Sequence, residues 1–396
     1  MRHCARWCHR QCRRVLEVGI VRQRYTPFGG AERFVADALV ALSRENVALS
    51  LYTRRWPGGD STTFTPVICD PFHIGNVWRD WSFARCVRNR WRQHRPHLVQ
   101  SHERIAGCDI FRAGDGVHRV WLAERRRGMT PLEKLLLALN PYHHYTLAAE
   151  ARMFTDAGLR AVICNSKLVR DQIASLFDVP ATKLHVIYNA VDALRFAPPR
   201  PPARAAMRRE LALPDDAVVF MFVGSGYARK GVANALAALA VLARSTPNVR
   251  LVVAGKERRL DEYRRRAHAL GVVDRVIFRG AETNVARLLH AADAFVLPTI
   301  YDPLPNAVLE AMATGLPVIT STQCGAAELL LEHDAGLVCD AHDVDAIATA
   351  MRRLVDDPSL RVAMGERARA AVAPLTAPAM TAELLALYRS LLPGAL

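Results

Sequence analysis

Three stretches of this sequence combine glycines, cations and carboxylates at spacings suited to holding an anion and a sugar. Residues 223–231 read VGSGYARKG: Gly224 follows an apolar run, and Arg229 and Lys230 stand at the start of the helix that follows. Two cations beside a helix N-terminus are repelled by its dipole, and an anion such as a pyrophosphate between them removes the conflict. Residues 25–33 read YTPFGGAER, where Gly29 and Gly30 open another helix. Paired glycines let backbone N–H groups approach an anion, although a Gly-Gly turn is also an ordinary structural device. Residues 299–317 read TIYDPLPNAVLEAMATGLP. Asp302 precedes the helical stretch 306–314 and can cap it. Glu310 lies among Leu309, Ala311 and Met312, where an unpaired carboxylate is costly. Ligand hydroxyls facing Glu310 and Asp302 would remove that cost, as an acidic residue holds the ribose in dinucleotide folds.

The elements that must position these residues come in two halves. In the first, residues 15–21 and 47–53 read as buried strands, with a helix at 29–43 between them. Further short strands are predicted at 97–101, 109–113, 161–165 and 184–188, while residues 60–95 show no clean periodicity. Residues 197–206, APPRPPARAA, read as a stiff linker or a domain-surface segment, because proline neither continues a helix nor donates to a ladder. In the second half, strands at 218–223, 250–254, 275–278, 294–297, 317–320 and 336–339 alternate with helices at 232–244, 260–270, 285–291 and 306–314. Helical stretches at 344–355, 360–372 and 380–392 close the chain. Such alternation predicts two doubly wound α/β domains facing across a cleft, with ligands at the carboxyl ends of the strands. The predicted division is a basic extension at 1–14, a first domain at 15–196, a linker at 197–214, a second domain at 215–375, and a final helix at 376–396 packing back across the cleft.

Composition narrows the class. The 396 residues carry 53 Lys and Arg against 38 Asp and Glu, a net charge of +15, with 51% hydrophobic residues. That is globular composition, and it excludes disorder or coiled coil as the main architecture. The basicity points to nucleic acid, an anionic membrane or a phosphorylated substrate. The stretches of continuous apolar sequence fall short of the roughly 18–20 residues a membrane span needs. The basic N-terminus has no apolar core of a signal peptide, so a cytoplasmic location is expected. Nine cysteines, an odd number in a chain of this size, argue against a disulfide scaffold. Cys164 and Cys339 read as buried thiols; Cys4, Cys8 and Cys12 repeat at helical spacing but lack a fourth metal ligand unless His3 or His9 serves. The tryptophans Trp7, Trp56, Trp78, Trp81, Trp91 and Trp121 read as core or interface anchors, and His143 and His144 as polar surface. Arg125, Arg126 and Arg127, just before the helical stretch 132–139, read as a solvated face that could also dock on anionic lipid.

The stretch 299–317 resembles the E-x7-E region of retaining glycosyltransferase family 4, enzymes of the GT-B fold. The resemblance is strongest from 218 to 317 and extends more loosely over 15–392. Within the family it is most like the lipopolysaccharide core glucosyltransferase I group, on PFGG at 27–30, the Arg-Lys pair of GYARKG, and FRAGDGVHRVW at 111–121. The resemblance implies that Gly29, Gly30 and Gly224 approach the donor diphosphate or its sugar, and that Arg229 and Lys230 neutralise the diphosphate. It implies that Glu310 binds the donor ribose, and that Asp302 contacts the transferred sugar beside backbone N–H groups near Leu304, Pro305 and Asn306. Asp115 would face the reacting centre and orient or deprotonate the acceptor. Two departures stand out: Asp302 replaces the family's usual Glu, and Ser225 stands where many members carry Arg. A family histidine after an early strand matches either His102 or His118.

The mechanism so implied is retaining, metal-independent transfer of a hexose, glucose by the group resemblance, from a nucleotide-diphosphate sugar such as UDP-glucose to a lipopolysaccharide core acceptor. No metal and no cofactor is implied, and fixed cations would stabilise the leaving diphosphate. The implied partners are the nucleotide sugar, a glycolipid acceptor and the anionic inner face of the cytoplasmic membrane, on which the protein would be peripheral. Alternatives are transfer to another glycan or glycolipid, a sugar-nucleotide epimerase of the same fold, and a basic nucleic-acid-binding protein. The last lacks zinc-finger spacing, RNP aromatics and a basic zipper.

Overall fold

The computed structural model describes residues 16–24, 47–56 and 64–392. Gly29 and Gly30, the helix expected at 29–43, and Cys4, Cys8 and Cys12 lie outside the described residues. Among the described residues two all-parallel sheets form. The first has seven strands, β1 (Leu16–Val21), β2 (Val47–Thr53), β3 (Thr65–Ile68), β4 (Leu98–Ser101), β5 (Ile110–Arg112), β6 (Ala161–Cys164) and β7 (Leu184–Val186). Their order is β3-β2-β1-β4-β5-β6-β7. The second has β8 (Val218–Val223), β9 (Val249–Ala254), β10 (Val276–Gly280), β11 (Ala294–Leu297), β12 (Val318–Ser321) and β13 (Gly336–Cys339), in the order β10-β9-β8-β11-β12-β13. In each sheet the chain winds outward from one central strand and then reverses, giving switch points at β1/β4 and β8/β11.

The local causes are plain in the strand sequences. β8 reads VVFMFV, and Val219, Phe220, Met221 and Phe222 are fully buried. A parallel strand covered by helices on both faces must be apolar on both, so it reads as a continuous run rather than an alternation. The first sheet has a separate apolar cluster on each face. One of them contains Leu384, Leu385, Leu387 and Tyr388 of the last helix, Ala377–Leu391, packed on β1, β2 and β4 residues such as Ile20, Leu51 and Leu98. Tyr388 is fully buried, and its hydroxyl donates to Gln100 Oε1 at 2.8 Å. The end of the chain thus returns from the second sheet to complete the core of the first. Among the described residues one stretch, Pro358–Leu391, is long and apolar enough to cross a membrane by composition. It is two helices, Pro358–Val372 and Ala377–Leu391, whose buried residues belong to the cores of the two different sheets.

Several expectations need correction. The proline-rich stretch is not a plain linker: Pro201–Glu210 is a helix with proline in its first turn, where the missing N–H is no loss. The aperiodic segment 60–95 contains β3 and the helix Gly75–Gln93. Its buried face is Ser82, Phe83, Ala84, Val87 and Trp91, and five arginines with half-exposed Trp78 and Trp81 blur the apolar spacing. His143 is buried, not surface, stacked near His118 and Trp121. Cys164 is fully buried as expected, but Cys339 is only half-buried because β13 is an edge strand.

Candidate active site

The second sheet presents its candidate residues at the carboxyl ends of β8 and β11. β8 ends at Val223, and Gly224 donates its N–H to Ala254 O at 2.9 Å, tying the loop to the end of β9. A one-turn helix, Tyr227–Lys230, follows; then Gly231 at φ 81° starts the long helix Val232–Ala243. A Cβ on Gly231 would fall 1.9 Å from Pro298 O, so only glycine lets this turn press against the end of β11. The contact is sealed by Arg229 O, which accepts from Ile300 N at 2.9 Å and from the Thr299 hydroxyl at 3.0 Å.

That approach brings Lys230 Nζ into an ion pair with the Asp302 carboxylate, the two side chains 12% and 7% exposed. The cation at the helix start is therefore countered by Asp302 within the protein itself. An external anion is not required to resolve the dipole conflict argued from the sequence. Nor does Asp302 cap the following helix: Asn306–Ala313 begins after Pro305 with no side-chain cap. Asp302 is instead held by its backbone, its N–H donating to Gln323 O at 3.0 Å and its carbonyl accepting from Gly325 N at 2.8 Å. Arg229, by contrast, points its side chain to solvent. Glu310 is buried at 5% exposure, and Leu304 and Pro305 are buried before the half-buried Asn306.

The first sheet contributes from the ends of β1, β4 and β5. Arg22 lies 3.6 Å from Glu103 and 3.9 Å from Asp115. Asp115 is 61% exposed, on the turn between Gly114 and Gly116. The two histidine candidates separate here. His102 sits at the end of β4, buried, accepting from Gln100 Nε2 at 3.1 Å. Burial, with Arg112 and Arg22 nearby, holds its pKa well below the usual histidine value, so the ring is neutral. His118 turns away, its ring nitrogen 3.2 Å from that of His143, and burial pulls its pKa down to about 3. His102 is thus the histidine at the end of a first-sheet strand.

The two sheets are stitched by residues that no local pattern singled out. Tyr301 is 1% exposed; its hydroxyl accepts from Val117 N at 2.8 Å and donates to Gln172 Oε1 at 2.9 Å. Asn189 donates to Asn306 Oδ1 at 2.7 Å and accepts from Arg112 Nη2 at 2.6 Å. Glu328 accepts from the N–H groups of Lys167 and Leu168, at 2.8 and 3.0 Å, so a carboxylate of one half caps the helix Lys167–Phe177 of the other. The structure therefore joins Lys230 directly to Asp302, and Asn306 through Asn189 to Arg112. Asp115 reaches the same region only through its loop, which Tyr301 holds. Tyr301, Asn189 and Glu328 have partners more than a hundred positions away; the sole advance signal was the GDG turn around Asp115.

Residues 28–195 match the family model Glycosyltransferase Family 4, and residues 203–371 match Glycosyl transferases group 1. The chain belongs to these glycosyltransferases. Over 349 residues it is 23% identical to the lipopolysaccharide glucosyltransferase WaaG of Escherichia coli, covering 87% of this chain and 91% of that protein. It is 35% identical over 218 residues to a glycogen synthase of Mycobacterium tuberculosis, 54% of this chain. The chain spans about half the length of that curated relative, 50%. A crystal structure of WaaG, described as involved in lipopolysaccharide biosynthesis, superposes with a TM-score of 0.80 at 22% identity, covering 95% of this chain and 100% of the other. The fold is GT-B: two Rossmann-like sheets, with the family's two domains falling one on each.

Proposed function

We propose that this glycosyltransferase is a retaining, metal-independent enzyme that moves glucose from UDP-glucose to a lipopolysaccharide core acceptor. The observation that carries the reading is the Lys230–Asp302 pair at the β8/β11 switch point, with buried Glu310 on the helix that follows. In this reading Lys230 turns to the donor diphosphate when it binds, and exposed Arg229 joins it. Gly224 and the backbone near Leu304, Pro305 and Asn306 come close to the phosphates and sugar. Asp302 then accepts from the sugar hydroxyls and Glu310 from the ribose. Gly29 and Gly30 would approach from the first domain, and Asp115 would orient the acceptor.

The bond from the anomeric carbon to the diphosphate oxygen breaks while the acceptor oxygen attacks from the same face. The departing phosphate oxygen takes the acceptor's proton. Negative charge grows on the diphosphate, and the cations gathered on it when the donor binds stabilise the transition state. The printed name of the Escherichia coli relative, a lipopolysaccharide glucosyltransferase, supports the choice of sugar and acceptor. A peripheral position at the inner face of the cytoplasmic membrane is supported by the helix Pro131–Ala138. Leu132, Leu135 and Leu136 on it, and Leu139 just after it, are exposed, directly following Arg125, Arg126 and Arg127.

The test is turnover of UDP-glucose with lipopolysaccharide core acceptors truncated before their first hexose, in chelator, with the product's anomeric configuration read by NMR. An α-linked product without added metal is expected; a β-linked product, or dependence on a divalent ion, overturns the mechanism. A second reading, transfer to an α-glucan, is favoured by the 35% identity to a glycogen synthase and predicts elongation of maltooligosaccharides in the same assay.

A further inference from the structure

Two cysteines that the transfer chemistry leaves unused lie against each other at the edge of the first sheet, beside a hollow open to solvent. We infer that Cys69 and Cys86 form a redox-modifiable thiol pair, which an anionic small-molecule disulfide such as glutathione disulfide closes into an intramolecular disulfide bond. Neither residue belongs to the groups assigned to donor or acceptor.

The fold brings the two together. Cys69 directly follows the edge strand β3 and is fully buried, its N–H donating to Thr53 O at 2.8 Å beside the end of β2. The chain then turns, and the helix Gly75–Gln93 runs back over the sheet. One guanidinium fastens that turn: Arg54 Nη1 donates to Asp70 Oδ1 at 2.8 Å, and its Nη2 donates to Ser82 Oγ at 3.0 Å. Position 70 is thereby clamped to position 82. The residue before Asp70 then faces the helical turn after Ser82, where Cys86 stands four residues on. The Cys69 and Cys86 thiols hydrogen-bond to each other, and Arg90, one turn beyond Cys86, reaches the same sulfur of Cys69.

Access sets the order of events. Cys86 is half-buried and lines a hollow of about 550 Å³ together with Phe72, Trp78, Trp81, Arg85 and Arg90. Cys69 lies behind it; burial pushes its pKa up to about 12, and the Arg90 cation pulls the other way. Two arginines and no acidic residue line the hollow, so the carboxylates of an entering disulfide meet guanidinium donors and an ammonium group meets repulsion. Elsewhere Cys108, Cys164 and Cys324 are buried, and the Cys339 thiol donates to Ala346 O at 3.6 Å.

Exchange runs in two steps. The Cys86 thiolate attacks one sulfur of glutathione disulfide, whose S–S bond breaks; one glutathione leaves and takes up the proton that Cys86 gave. The Cys69 thiol then attacks the Cys86 sulfur of the mixed disulfide, and the second glutathione leaves with the Cys69 proton. The protein loses two electrons as a new S–S bond forms, and glutathione disulfide is reduced to two thiols.

The experiment incubates the folded full chain with glutathione disulfide to equilibrium, quenches with acid, alkylates the remaining thiols and maps a non-reducing digest by mass spectrometry. A peptide pair cross-linked through Cys69 and Cys86 is expected. In Cys69→Ser the mixed disulfide of Cys86 with glutathione should accumulate instead, and in Cys86→Ser the buried Cys69 should stay reduced. Cystamine, a disulfide with ammonium ends, should modify Cys86 more slowly than glutathione disulfide by about threefold or more, each rate taken relative to the same reagent with N-acetylcysteine. The inference is overturned if Cys86 of the original chain stays reduced, or if it carries glutathione while Cys69 stays reduced. A relative rate for cystamine equal to that of glutathione disulfide overturns the anionic class of the reagent. The cross-link is read on the original chain, so a variant that fails to fold does not remove the test.

Discussion

The hydroxyl of Tyr301 accepts the backbone N–H of Val117 at 2.8 Å across 184 positions of sequence. The residue after Tyr301 is Asp302, and the residue two before Val117 is Asp115, so one hydrogen bond spaces the proposed donor and acceptor carboxylates. The fit leaves no slack. Gly116 has φ 68°, and a Cβ there would fall 2.2 Å from the Tyr301 hydroxyl.

Tyr301→Phe keeps the ring and deletes the hydroxyl, leaving Val117 N–H and Gln172 without that partner. A loss of about 1–3 kcal/mol in stability follows for an orphaned buried donor. If the bond spaces the two sites, kcat should fall about tenfold while the donor KM moves less than twofold. Steady-state kinetics with donor and acceptor varied separately checks this; an unchanged kcat would reduce Tyr301 to a packing role.

Lys230 and Asp302 are a largely buried pair, so removing one leaves the other's charge without its partner in a poorly solvated place. Lys230→Ala should lower kcat by about 10²–10³, the range for losing one preorganised group at developing charge. Replacing Arg229 together with Lys230 should nearly abolish transfer. Asp302→Asn should raise the donor-sugar KM more than it weakens UDP. Full activity of the double Arg229/Lys230 variant would refute the cationic clamp.

Glu310→Ala tests the ribose contact. Donor affinity, measured by calorimetry with UDP-glucose and UDP, should fall about tenfold for both, in line with about 1.5–3 kcal/mol for a hydrogen bond to a charged group. The fold should survive, as judged by circular dichroism. Equal affinity in variant and original chain would remove Glu310 from the site.

Stability should decline in acid, and the sign follows from the histidines. Burial lowers the folded pKa of His118 from 6.5 to about 3 and that of His102 and His143 in the same direction. Between those limits the unfolded chain binds more protons than the folded one. The stabilisation is complete above about pH 6.5 and is lost as pH falls from there toward 3. Thermal melts at pH 7.5, 6 and 5 should show a falling midpoint, and His118→Gln should flatten the slope; an unchanged slope would mean His118 is not a contributor.

Replacing Leu132, Leu135, Leu136 and Leu139 together by Ser should leave the melting temperature unchanged, because all four are exposed. Co-flotation with vesicles containing phosphatidylglycerol should drop severalfold, each buried leucine contributing roughly 1.5–3 kcal/mol. Equal flotation would rule this helix out as the membrane contact.

How much was legible in advance depends on the range of the interaction that decides each feature. Strands such as β8 are determined within six residues, because a strand buried on both faces has to be apolar throughout. The glycine-rich turn at 224–231, the E-x7-E resemblance and the two-domain α/β class were equally legible. Local rules failed where a local fact admits two outcomes. Prolines at 201–202 break a helix from within yet start one without penalty. Arginines and tryptophans on Gly75–Gln93 hide a helix whose buried stripe only its neighbours reveal.

By itself, the sequence determined which residue types stand at the carboxyl ends of which strands, since strand, turn and helix start are short-range choices. Tertiary structure decided which of them meet. Lys230 finds Asp302 because Gly231 lets two strand ends touch, Asp115 is placed by a tyrosine of the other half, and Ala377–Leu391 completes a core begun at Leu16. Those pairings are set by how the two sheets and their covering helices pack together, and no window of sequence contains both partners.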